Sequence, residues 1–178
     1  MHYKRRSILS ISLMTLVLSA CGFQLRGNVS IPTELHQLSV HCGNELSKVL
    51  CQSLTKQLKL NDVNLVDDSA ANYILSITAL ESNRRAISIT DRAVTVEYEV
   101  TNKATFNLVA ADQTVIIEET TTSARQSYRF DEDNVISKTR EEEEVKDQLN
   151  KLLASKIISR LTPFNTQKIE QIRAEKAE

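Results

Sequence analysis

The 178-residue chain predicts an α+β fold, a two-layer sandwich of two helices on one mainly antiparallel four- to five-stranded sheet with a long hairpin. Three observations carry that expectation. Along residues 94–108, Val94, Val96, Tyr98, Val100, Ala104, Phe106 and Leu108 share one parity, with Asn102 the exception; alternation of period two marks a half-buried strand. Ala110-Ala111-Asp112-Gln113 looks like a hairpin connection, and Thr114 to about Tyr128 returns as another strand. Two stretches with apolar residues three and four apart, one on each side of this β-rich middle, supply helices to cover its apolar face.

The elements follow in order. Leu38, Val40 and Cys42 alternate with Ser39 and His41 as a first strand. Gly43-Asn44 breaks it, and Asn44 is placed to cap a helix running to about Leu60, with Leu46, Val49, Leu50, Leu54 and Leu58 as its buried stripe. Asp62 to Val66 is a short strand and Asp67-Asp68-Ser69 a loop. Asn72 to about Ile89 carries Tyr73, Leu75, Ile77 and Ala79 on one parity, then a polar interruption at residues 81–85, with the turn at Thr90-Asp91-Arg92. The clean alternation from Val94 then spans roughly 50 Å at ~3.3 Å per residue. The second helix has Leu149, Leu152, Leu153, Ile157 and Leu161 on its apolar face and Pro163 after its end. Two starts are open: a capping box at Thr139 and Glu142, or a longer helix capped by Asp133 and beginning at Asn134.

Residues 1–20 have the parts of a secretory signal: Lys4, Arg5 and Arg6, then a mostly apolar Ser7 to Leu18. That run is short for the ~20 apolar residues of a permanent span. Leu18-Ser19-Ala20-Cys21 resembles the lipobox of bacterial lipoproteins, which implies cleavage after Ala20 and N-acyl and S-diacylglycerol lipid on Cys21. Each buried methylene contributes ~0.8 kcal/mol, and two or more chains hold a protein stably at a membrane. Gly22 rather than Asp follows the cysteine, which by the sorting habit of enteric-type bacteria favours the outer membrane. Residues 21–34 then read as a lipidated tether, 35–164 as one domain, and 165–178 as a disordered tail.

Without the leader, 22 basic side chains fall to 19 against 23 acidic ones, a balance of −4. Such a chain is no general polyanion binder, and 4% aromatic content without Trp argues against stacking on nucleic acid bases. Cys42 and Cys51 remain beside Cys21. An oxidising compartment permits a bridge. However, a Cys51 two turns into its helix stands about 10 Å along the axis, beyond the ~7 Å Cα reach of a disulfide. Two small buried core cysteines are the favoured reading, and the bridge stays open.

Little catalytic apparatus is visible. His36 and His41 are five apart, on opposite faces of a regular strand, and no CxxC or HExxH spacing supports a metal. There is no phosphate-cradling glycine loop and no GxSxG elbow. Glu141 to Glu144 reads as a solvated helix start, so an enzyme is not expected and no cofactor is implied. The informative charges are basic. Arg84 and Arg85 precede the turn at Arg92, Arg125 and Arg129 flank the exit from the last strand, and Lys138 and Arg140 sit near the second helix start. Scattered surface charge predicts the same residues. A phosphorylated lipid headgroup would suit them if Arg92 and Lys138 converge.

Cys21-Gly22-Phe23-Gln24-Leu25-Arg26-Gly27, Gln57-Leu58-Lys59-Leu60-Asn61 with Val63, Val96-Glu97-Tyr98, and the helix from Val145 to Leu161 before Pro163 occur in that order. Together they resemble the LptE family of lipopolysaccharide-assembly lipoproteins over roughly residues 22–164. The resemblance implies a non-enzymatic protein, lipid-anchored at the outer membrane and facing the periplasm. It would plug and support an LptD-type outer-membrane β-barrel and bind lipopolysaccharide during its delivery to the outer leaflet. It implies basic lipopolysaccharide contacts at Lys138 and at Arg92, which is offset by one position from the family's residue, with Arg84 and Arg85 as substitutes. The competing expectation is an accessory lipoprotein of another envelope β-barrel machine, without lipopolysaccharide binding.

Overall fold

The computed structural model describes residues 30–43, 48–89, 95–129 and 135–176, with backbone alone for 95, 96 and 135–140. Strands β1 (Gln37–Cys42), β2 (Asn64–Leu65), β3 (Tyr73–Ile89), β4 (Thr95–Ala110) and β5 (Val115–Arg129) form one sheet in the order β2-β1-β3-β4-β5. β1 is parallel to both β2 and β3, while the long β3–β4 and β4–β5 pairs are antiparallel. Helices α1 (Lys48–Leu60), α2 (Val135–Leu161) and α3 (Thr166–Glu175) complete the fold. The predicted two-layer α+β sandwich is therefore present, with a third helix added.

Alternation places the core. Val100, Asn102, Ala104, Phe106, Leu108 and Ala110 of β4 are all buried on the face toward the helices. Tyr73, Leu75 and Ile77 continue that face on β3, and a register shift between Ile77 and Ala79 then buries Leu80 rather than Ala79. From α1 the core takes Leu50, Cys51, Leu54 and Leu58, and from α2 Val145, Leu149, Leu153, Ala154, Ile157, Ile158 and Leu161. Val49 and Leu152, expected on the apolar stripes, are half exposed at 42% and 45%. Leu46, Asn44 and the Thr90-Asp91-Arg92 turn lie outside the described residues. Gly43 brings the end of β1 against β3: its N–H donates to the Ile77 carbonyl at 3.1 Å, and a Cβ there would meet the same oxygen at 3.1 Å.

Three expectations need correction, and one open alternative is decided. The polar run 81–85 does not interrupt β3, which pairs with β4 from Tyr73 to Ile89. On the helix side Ser82 and Arg84 stand beside buried Asn102 and Val100, and Arg84 is polar there because it pairs with Glu142 of α2; the other side is open. Thr139 lies inside α2, so the longer helix start is the one the backbone supports, and its proposed cap Asp133 is outside the described residues. Cys42 and Cys51 are bridged, their Cα atoms 6.4 Å apart. Cys51 is the fourth described residue of α1, and its Cα is close enough to the end of β1 for the bridge.

The remaining correction concerns the domain ends. Residues 166–175 form α3 instead of a disordered tail. Asn165 caps α3 by accepting from the Lys168 N–H at 3.0 Å, and Ile169 enters the core at 3% exposure. Arg173 pairs with Asp112 at 3.1 Å, the Lys176 ammonium donates to the Val115 carbonyl at 3.1 Å, and the Thr166 hydroxyl donates to Glu34. At the other end Ile31, within the expected tether, is also buried in the core.

Candidate functional site: the charged half of the hairpin

Strand parity separates the two adjacent arginines. Arg84 stands opposite Val100 and Arg85 opposite Glu99 in the β3–β4 ladder, so they project from opposite faces of the sheet. Arg84 shares the helix side. Its Nη1 donates to Glu142 Oε2 of α2 at 2.6 Å, and its guanidinium lies 4.7 Å from the centre of the Tyr98 ring. Tyr98 stacks on Tyr128, ring centres 5.9 Å apart, and the Tyr128 hydroxyl donates to the same Glu142 Oε2 at 3.0 Å. Lys146, one turn further along α2, pairs with Glu142 Oε1 at 2.7 Å.

One carboxylate thus gathers a guanidinium, a phenol and an ammonium. The Lys146 hydrogen bond is the main reason that the Glu142 carboxyl is held below its ordinary value, with Tyr128 and Arg84 adding to it against the opposing effect of burial. Burial pushes the Tyr128 phenol up. The hydrogen bonds that Arg84 donates to Tyr128 and Glu142 hold its guanidinium more firmly protonated.

The open face of the hairpin carries a second arrangement. Arg85 pairs with Glu99 at 2.9 Å while remaining 68% exposed. Glu81, Asn83, Thr101, Lys103 and Arg125 join them around a trough of about 320 Å³. Thr105 and Thr121 share a hydrogen bond at 3.0 Å, and the Thr78 hydroxyl donates to Glu119 at 2.8 Å. This face is polar because the helices cover only the other one.

The expected site residues divide accordingly. Arg84 and Arg85 are adjacent in sequence but do not share a site. Lys138 occupies the α2 position one turn before Glu142, so the start of α2 and the end of the β3–β4 hairpin lie at one pole of the molecule. Arg92 and Cys21 are outside the described residues. Sequence reasoning passed over Glu142, Lys146, Tyr98 and Tyr128; the signal was the i, i+4 spacing of Glu142 and Lys146 on a helix.

The histidines do not form a centre. His36 Nε2 lies 3.2 Å from the Ile31 carbonyl oxygen, whereas His41 Nε2 is 2.6 Å from Asp68 Oδ1, which also accepts from the Ser39 hydroxyl at 2.6 Å. The serine contacts the carboxylate rather than the imidazole, so this is not a nucleophile–base pair. Among the described residues no group of three or more His, Cys, Asp or Glu side chains is placed to hold a metal ion, and no helix is long and apolar enough to cross a membrane.

Fold and cluster define a class, a two-layer α+β domain whose long charged hairpin is covered by helices on one face. Solved structures share that fold. A minor lipoprotein from Acinetobacter baumannii superposes with a TM-score of 0.62 at 22% identity, over 72% of this chain and 92% of that one. A lipoprotein B from Nitrosomonas europaea gives 0.63 at 17% identity, over 79% and 90%. The LptE family model, described as lipopolysaccharide-assembly, matches residues 35–161, and the chain belongs to that family. Among curated relatives, the LPS-assembly lipoprotein LptE of Pectobacterium atrosepticum is 33% identical over 94 residues, covering 52% of this chain and 50% of that protein. Its counterpart from Yersinia pestis is 34% identical over 94 residues, covering 52% and 45%. The chain spans about half the length of the curated relatives it matches.

Proposed function

We propose that this chain is a non-enzymatic outer-membrane lipoprotein of lipopolysaccharide assembly, anchored through lipid on Cys21. It sits largely within an LptD-type β-barrel, supports that barrel's assembly, and binds lipopolysaccharide on its way to the outer leaflet. The family match across residues 35–161 carries this reading. The bare hairpin face suits it, because Glu99, Thr101, Lys103, Thr105 and Thr121 offer polar groups to a barrel lumen that is itself polar. In this reading Lys138 and Arg92 contact lipopolysaccharide phosphate.

The test is purification from membrane extracts under mild detergent. A stoichiometric complex with one large barrel protein is expected, and recovery only as a free monomer would overturn the proposal. Replacing Arg92 and Lys138 together should weaken lipopolysaccharide binding; unchanged binding points to an accessory subunit of another envelope machine. A Cys21→Ser chain produced with the barrel should still fold and keep much of its partner binding, since lipid is then only one of two attachments.

A further inference from the structure

The geometry points to a phosphate-binding site formed by Arg84, Tyr128 and Lys146, in which Glu142 stands as an internal counter-anion that a phosphate monoester displaces. The inference rests on the reading above for its natural ligand, a phosphorylated lipid headgroup, but its chemistry comes from the cluster itself. Glu142 Oε2 accepts from Arg84 Nη1 at 2.6 Å and from the Tyr128 hydroxyl at 3.0 Å, and Oε1 accepts from Lys146 Nζ at 2.7 Å. Guanidinium, phenol and ammonium are the donors that a tetrahedral phosphate recruits.

Charge makes the carboxylate a poor final partner. Arg84 and Lys146 have Glu142 as their ion-pair partner among the described residues, so two cations share one negative charge. A phosphate monoester carries about −1.5 to −2 near neutral pH and offers three acceptor oxygens, against two on the carboxylate. The donors are also held in place. The Tyr98 ring lies under Arg84, and Tyr128 is stacked on Tyr98, so little side-chain freedom remains to be lost on binding. Access is from solvent, because the Arg84 and Lys146 side chains are 47% and 43% exposed, whereas Glu142 is 20% exposed. Rotation of one glutamate side chain outward opens the site.

Titration calorimetry on the mature, lipidated chain in dodecylmaltoside tests this with inorganic phosphate as the probe. Glu142→Gln keeps an acceptor for Tyr128 and removes the competing charge; phosphate should bind about tenfold more tightly, equivalent to ~1.4 kcal/mol. Lys146→Gln lies on an exposed helix position and leaves the fold intact, and it should weaken phosphate binding severalfold, while Lys59→Gln on α1 should not. Glu142→Gln binding phosphate no more tightly than the parent, or Lys146→Gln binding it equally well, would overturn the proposal. Micelles doped with phosphatidic acid, compared with phosphatidylcholine, separate the sources. Preference for phosphatidic acid over inorganic phosphate supports a lipid headgroup, and equal affinity supports free phosphate at the same site. These measurements use the isolated chain, so they fail or succeed independently of barrel co-purification.

Discussion

Replacing Cys42 by Ser isolates the contribution of the disulfide. Cys42 is exposed at the end of β1, and Cys51 remains in the core, so the substitution removes the bond without opening a cavity. The closed loop spans a sequence separation of 9. Loop-closure entropy for that length is worth about 2.6 kcal/mol at 25 °C. For a domain of this size that corresponds to a melting temperature lower by roughly 5–10 °C. Far-UV circular dichroism melts of parent and Cys42→Ser, each with and without a thiol reductant, provide the assay. Reductant should lower the parent to the level of the variant and leave the variant unmoved. A Cys42→Ser chain melting with the oxidised parent, or a parent indifferent to full reduction, would refute the claim that the bridge restrains the unfolded chain.

Three further outcomes follow from other parts of the fold. Ile169→Ala should destabilise α3 by about 2–3 kcal/mol through lost burial, seen as faster proteolysis within residues 166–175; cleavage at the parent rate would mean that α3 is not docked. Asn102 and Asn150 are buried between β4 and α2, with Asn102 Nδ2 3.5 Å from Asn150 Oδ1 and Asn102 Oδ1 unpaired. Asn150→Leu alone should cost roughly 1–3 kcal/mol by stranding its partner. The double change to Leu should recover most of that in urea unfolding, and no recovery would count against the pairing. Finally, Glu142 is depressed below 4.5, chiefly by Lys146, so its stabilising effect is complete above the unfolded value and lost as pH falls through the lower folded one. Parent and Glu142→Gln should therefore differ more at neutral pH than at about pH 3; parallel curves would show that the cluster adds no acid-sensitive stability.

Much of the fold is legible in the chain because one face of the sheet is buried. Val100, Ala104, Phe106 and Leu108 announce β4, since a covered sheet enforces period two. That signal vanishes at residues 81–85, where Ser82 and Arg84 face the polar part of α2, and Glu81, Asn83 and Arg85 face the open side. Neither side asks for an apolar residue, so a continuous strand reads as an interruption. Helix α3 escapes notice for a similar reason: within Thr166–Glu175 only Ile169 and Ile172 turn inward, too few for a stripe. The disulfide was judged from the helix rise between Asn44 and Cys51, whereas the distance that decides it is the 6.4 Å between the Cys42 and Cys51 Cα atoms. At the site, reading residues 81–85 as strand would have sent Arg84 and Arg85 to opposite faces at once. Their aromatic and acidic neighbours come from β4, β5 and α2, a convergence that only the assembled ladder supplies.

The reach of the β3–β4 hairpin has a mechanical side. The ladder from β3 to β5 is anchored in the core at the Ala110 end, while its far end at Ile89 and Thr95 extends past Val100, the last buried residue of β4 among those whose side chains are described. The arm beyond the core, from Val100 to Thr95, is ~17 Å at ~3.3 Å per residue, so a pivot of about 5° moves its end by roughly 1.5 Å. The hairpin is thus a lever, and Arg84 with Glu142 is a strut set part-way along it. A load on the tip is accordingly shared between the Arg84–Glu142 pair and the core contacts of β4.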